Sequence, residues 1–114
     1  MKINDEGIIK YGKDDLGVIV EGASLYSSTE QSFRILEFAA YSGMWIDKDE
    51  IQDARMEFEL DRDDLPYDWF EDLGFAVEQA LYWLNTNCTE KGVAFAFIDT
   101  DLVLLDSNYE SMVG

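Results

Sequence analysis

Two helix-period stripes, β-rich runs at both ends and a core-forming composition predict an α+β domain, with an antiparallel sheet packed against two helices as a single pair of layers. The chain has 114 residues, 47% hydrophobic and 14% aromatic, too apolar for a disordered acidic tail. That length fits one domain, and no repeat, low-complexity tract or Gly/Ser/Pro linker divides residues 1–114.

Taken in order, Ile8–Tyr11 and Leu16–Glu21 read as short strands around a Gly12–Asp15 turn. Ser27 to Glu30, or Ser28 to Gln31, has capping-box spacing. Behind it Phe33, Leu36, Ala40 and Met44 form a helical stripe that should fray near Ser42-Gly43. Residues 47–53 fit a loop or a helical turn. From Arg55 onward Met56, Phe58 and Leu60 alternate with Glu57, Glu59 and Asp61, the period of a strand with one buried and one acidic face. The rival is a helix through 49–60 that uses Ile51, Ala54 and Phe58; the unbroken alternation favours the strand. Pro66 suits the first turn of a second helix, which runs through Trp69, Phe70, Leu73, Val77, Leu81 and Leu84 to about Thr86. Val93–Ile98 and Leu102–Leu105 then form an antiparallel hairpin across Asp99-Thr100-Asp101.

Charge is the unusual property. Twenty-five acids against eight bases leave −17. A surface so acidic should bind neither nucleic acid nor an anionic membrane, and should seek a basic protein, multivalent cations or high salt. Histidine is absent, which removes the usual general base and the commonest metal ligand. A lone cysteine, Cys88, fits a reducing cytoplasm. Nothing at the start reads as a signal peptide, and no apolar run is long enough for a membrane helix.

The charge is concentrated. Residues 47–72 hold twelve acids and three bases, a balance of −9. On a strand, Glu57, Glu59, Asp61 and Asp63 would share a face at a repeat of about 6.7 Å. Phosphates on one DNA strand rise roughly 3.4 Å each along the axis but wind around it, so their separation approaches that carboxylate repeat. Acids on a solvent face usually serve solubility alone. A small domain needs a net charge of only about 2–8 for that, however, and the excess destabilises the compact state by self-repulsion. Asp49, Glu50, Asp53, Asp64, Asp68, Glu71 and Asp72 extend the candidate partner-binding surface. Tyr67 and Trp69, flanked by these acids, are candidate aromatic anchors, with Trp45 a weaker one.

Competing chemistries fare poorly. Loops beginning at Asp47 and Asp61 start like calcium loops, but neither has glycine at position six. Asp99-Thr100-Asp101 has the spacing of a metal–nucleotide pair in a turn where aspartates are common anyway. Without histidine, acid–base catalysis would need two carboxylates held at different pKa values, and no glycine-rich phosphate loop is present. Cys88 follows a helix C-terminus, where the dipole disfavours a thiolate. The expectation is therefore no enzyme, no catalytic residue, no metal ligand and no cofactor.

With −17 in 114 residues and the rows Glu57-Glu59-Asp61-Asp63 and Asp64-Asp68-Glu71-Asp72, the chain resembles the acidic DNA-mimic inhibitors of phages and mobile elements. These are small cytoplasmic proteins of anti-restriction, anti-CRISPR or glycosylase-inhibitor type. The likeness is one of class; such inhibitors share no fold, so no residue role transfers. It implies a basic nucleic-acid-binding target, such as a CRISPR effector, a restriction enzyme or another nuclease, and a host bacterial cytoplasm if phage-encoded. Leu65–Leu73 also resembles the acidic, aromatic nuclease-binding segment of barstar-type and colicin-immunity inhibitors. A third alternative is a solvated or halophilic domain without such a partner.

Overall fold

The computed structural model describes residues 2–20, 28–98 and 101–106. The capping box expected from Ser27 or Ser28, the end of the 16–21 strand at Glu21 and the turn at 99–100 lie outside the described residues. The elements are β1 (Lys2–Ile3), β2 (Ile9–Lys10), β3 (Gly17–Val20), α1 (Ser28–Tyr41), α2 (Lys48–Asp61), α3 (Tyr67–Asn87), β4 (Val93–Ile98) and β5 (Asp101–Asp106). The architecture is α+β.

Strands β1 and β2 form a small antiparallel pair, and β3, β5 and β4 form a separate antiparallel sheet in that order. Phe95 lies opposite Leu104 and Phe97 opposite Leu102 in the β4–β5 register. Alternation along these strands turns Val93, Phe95, Leu102 and Leu104 into the core beneath α1 and α3. β4 is an edge strand, and α3 covers part of that edge. The Asn85 side-chain amide donates to the Phe95 carbonyl at 3.1 Å, while its oxygen accepts the Phe95 N–H at 2.7 Å. Two backbone groups that would otherwise invite another strand are thereby satisfied.

α1 supplies the centre of the core through Phe33, Ile35 and Ala39. It ends at Tyr41, as its sequence predicts, and Gly43 takes φ +116 in the turn that follows. A Cβ there would lie 2.9 Å from the Ile8 Cα, so both the backbone angle and the close approach require glycine. The N-terminal segment is tied across this turn. Ile9 N–H donates to the Ser42 carbonyl at 2.9 Å, and Tyr11 N–H to the Cys88 carbonyl at 2.7 Å.

One expectation is overturned. Residues 55–61 are not a strand; they belong to the helix α2. Met56 and Leu60, expected to point inward, are 52% and 78% exposed, whereas Phe58 is 8% exposed. The buried side of α2 is the stripe Ile51, Ala54 and Phe58. Three causes favour the helix. Between Gln52 and Leu65 there is no β-branched residue, while Glu, Ala, Arg, Met and Leu are good helix formers. Asp47 caps the start, its carboxylate accepting the Asp49 N–H at 2.8 Å, and Asp49 and Glu50 lie in the first turn, where the dipole favours them. Tertiary contacts complete the choice: Phe58 stacks on Trp69 with ring centroids 5.9 Å apart and meets Phe33 edge-on at 6.3 Å. Among the described residues there are thus three α-helices where the sequence predicts two.

Candidate partner-binding face

The helix rearranges the acids. Side chains two apart on an α-helix diverge by about 200°, so Glu57 and Glu59, and likewise Glu59 and Asp61, point to different sides. The row Glu57-Glu59-Asp61-Asp63 is therefore not a row, and Asp63 lies beyond the helix in the connection to α3. A different one takes its place. Glu50, Asp53, Glu57 and Asp61 follow one another at i, i+3, i+7 and i+11, in a strip that flanks the buried stripe of Ile51, Ala54 and Phe58 on its Ala54 side. Successive members rise about 4.5–6 Å along the axis. All four are exposed, with Asp49 beside them.

Two of the three cations of this region are turned elsewhere, and the third, Lys48, is exposed at the start of α2. The Arg55 guanidinium reaches across to α1, where it pairs with Glu37 and with Glu30 (3.3 Å) and lies 5.4 Å from the centroid of the Phe33 ring. Arg62 sits over the Phe58 ring at 5.0 Å. Among the described residues, none of the twelve acids of 47–72 is in an ion pair. Their field is uncompensated locally, which is the condition under which a cationic partner gains most from approach.

Asp63 and Asp64 are exposed in the short connection, and Asp68, Glu71 and Asp72 are exposed on the first turns of α3. Tyr67 is 75% exposed, free to act as an anchor. Trp69 is half-buried: besides stacking on Phe58 it meets Phe33 and Phe70 edge-on, so its main work is to hold α2 against α3. Sequence reasoning ranked Trp45 below both, yet its side chain is 100% exposed. Phe75 and Tyr82, seven residues apart on the outer side of α3, are exposed as well, and of the two only Phe75 was not anticipated as a surface aromatic. Its heptad spacing from Tyr82 was the available signal.

No protein-family profile, curated protein or solved structure matches the chain. Its chemistry must be read from its own side chains. Among the described residues no three His, Cys, Asp or Glu side chains are grouped to hold a metal ion. Among the described residues no helix is long and apolar enough to cross a membrane.

Groups with shifted acidity lie away from the acidic face. Burial pushes the Cys88 thiol up to about 11, so it is protonated at neutral pH. Burial likewise raises the Tyr11 phenol, whose hydroxyl shares a 2.8 Å hydrogen bond with the Ser42 hydroxyl. The Gly12 N–H, donated to the Asp15 carboxylate at 2.9 Å, holds that acid below its usual range. Cys88, Tyr11 and Ser42 are buried side chains that join the end of α3 to the N-terminal segment.

Proposed function

We propose that the protein is a DNA-mimic inhibitor, which lays its acidic face into the basic nucleic-acid-binding groove of a host defence or DNA-processing protein. Anti-CRISPR or anti-restriction activity is the form this would take, in a bacterial cytoplasm. The observation that carries the reading is the exposed row Glu50-Asp53-Glu57-Asp61 on α2, with no described cation pairing to it and with Asp64 and Asp68 also exposed in the segment that follows. The helix spaces these carboxylates at intervals comparable to those between phosphates, so lysines and arginines arranged for one polyanion can accept the other. No step of catalysis is involved.

The test is competitive capture. The protein, immobilised and exposed to a bacterial lysate, should retain nucleic-acid-processing proteins that are released by salt and by duplex DNA. Asp53→Asn, Glu57→Gln and Asp61→Asn together should slow association, whereas Asp5→Asn, Glu6→Gln and Asp14→Asn should matter much less. Equal behaviour of the two sets would reduce the acids to bulk charge. Retention undiminished by saturating DNA would exclude a shared groove.

A second reading, an immunity-type inhibitor of a nuclease toxin, is favoured by the exposed Tyr67 beside Asp68 and Glu71. It expects one small nuclease in the captured fraction, and loss of that nuclease with Tyr67→Ala.

A further inference from the structure

Behind the acid row lies an apolar cleft of about 250 Å³ between α2 and α3. Phe33 and Leu36 of α1 line it, Ile51 and Ala54 form its α2 wall, and Leu73 and Ala76 its α3 wall. Among the described residues Glu50 is the only charged one lining it. A second hollow, lined by Trp45, Ile46, Asp47 and Glu50, adjoins it, since both share Ile46 and Glu50. The fully exposed Trp45 indole thus lines a hollow that it shares with the acids Asp47 and Glu50, next to the apolar cleft.

We propose that this cleft receives a large apolar side chain from a basic segment of the partner protein, while lysines or arginines flanking that side chain meet the surrounding acids. The proposal rests on the reading of the acidic face as a docking surface, and it adds a component that DNA lacks. Charge decides the class of occupant. Glu50 lines both hollows and Asp47 lines the second, so a nucleotide or other anion is repelled there. The apolar cleft, at about 250 Å³, has room for one or two side chains, and the adjoining hollow of about 480 Å³ has room for residues on either side of them. A second copy of this chain would bring −17 against −17. Trp45 fits the same role, because tryptophan at a rim between apolar and wet surroundings is a frequent interface anchor.

The experiment uses the full chain and two synthetic lysine-rich amphipathic helical peptides, identical except that one carries leucine and the other serine along its apolar stripe. The leucine peptide should bind about tenfold or more tightly than the serine peptide, because a buried leucine adds a contribution that salt does not screen. Raising the salt should abolish binding of the serine peptide first. Tryptophan emission should shift to the blue with the leucine peptide, and Trp45→Phe should remove that shift. Methyl resonances of Ile51, Leu73 and Met44 should move in the wild-type protein, a readout that holds even if the cleft-filling variant Ala76→Phe fails to fold. If Ala76→Phe folds, it should bring the leucine peptide down to the affinity of the serine peptide. Equal, fully salt-sensitive binding of both peptides would overturn the cleft proposal and leave the acidic docking face standing. Absence of binding by either peptide would overturn both. Methyl shifts centred on Val18, Val103 and Leu105 of the sheet, or a dimer of the free protein dispersed by Trp45→Ala, would assign the apolar contact to another surface or to a second copy and overturn the proposal.

Discussion

Helices α2 and α3 both present carboxylates to solvent, but they are held to the body in different ways. α3 spans 21 residues and buries Val77, Ala80 and Leu84 against α1 and the sheet. Asn85 and the buried Cys88 secure its far end. α2 spans 14 residues and buries only Ile51 and Phe58. Its other attachment is Arg55, held between Glu30 and Glu37 of α1. The frame of α1, α3 and the sheet therefore carries most of the apolar burial, and α2 is an acidic plank docked on it. Self-repulsion among its carboxylates thus acts on the more thinly anchored of the two helices. Local opening of α2 ahead of the frame is the expected order of unfolding.

Ranked by size, the effects that break or sharpen this contrast begin in the frame. Leu84→Ala should destabilise the whole protein by about 2–5 kcal/mol, seen as a lower urea midpoint together with earlier labelling of Cys88 by a thiol reagent. Phe58→Ala should cost about 2–3 kcal/mol, less than the usual upper range for a buried phenylalanine, because α2 can detach instead of preserving a cavity. Hydrogen exchange would then rise in residues 48–61 while α1, α3 and Cys88 stay protected. Global exchange in both variants would show that α2 and the frame form one cooperative unit.

Alkaline pH tests the frame in a second way. The folded Cys88 thiol holds its proton up to about 11, whereas the unfolded thiol ionises near 9.0. Folding stability from this group is complete below 9.0 and is lost as pH rises toward 11. Cys88→Ala should flatten the decline of the urea midpoint across that window, leaving a remainder from Tyr11, whose phenol is raised in the same direction. An unchanged slope would mean that Cys88 is not shielded as described.

Arg55→Met should cost about 1 kcal/mol, and less at high salt, since the pairs it makes are partly exposed. Hydrogen exchange should place that loss in α2. Met56→Asp should change stability by about 0.5 kcal/mol or less, because residue 56 lies on the solvent side of the helix. A collapse of this variant by thermal denaturation would restore the strand and undo the carboxylate row of α2.

Much of the architecture was legible because it depends on local periodicity. Phe33 and Leu36 mark the buried side of α1, Val77 and Leu84 that of α3, and Phe95 and Leu104 the inner side of the hairpin; all six are buried. The break near Ser42-Gly43 followed from glycine chemistry, although its reason, the 2.9 Å approach of Ile8, is tertiary. The acidic segment was legible as composition. Its arrangement was not, because Met56 to Asp61 alternate over six residues while Ile51, Ala54 and Phe58 fit a helix equally well.

The sequence by itself determined the α+β class, the hairpin at the end, the two main helices and the concentration of charge in 47–72, since each follows from side-chain chemistry over a few turns. Only the tertiary structure decided which period residues 48–61 obey. Phe33 and Trp69 offer Phe58 one slot, and Glu30 and Glu37 draw Arg55 to α1. A helix brings Ile51, Ala54, Arg55 and Phe58 to the same side, whereas a strand would separate them. That choice sets which carboxylates stand together, and it opens the cleft behind them.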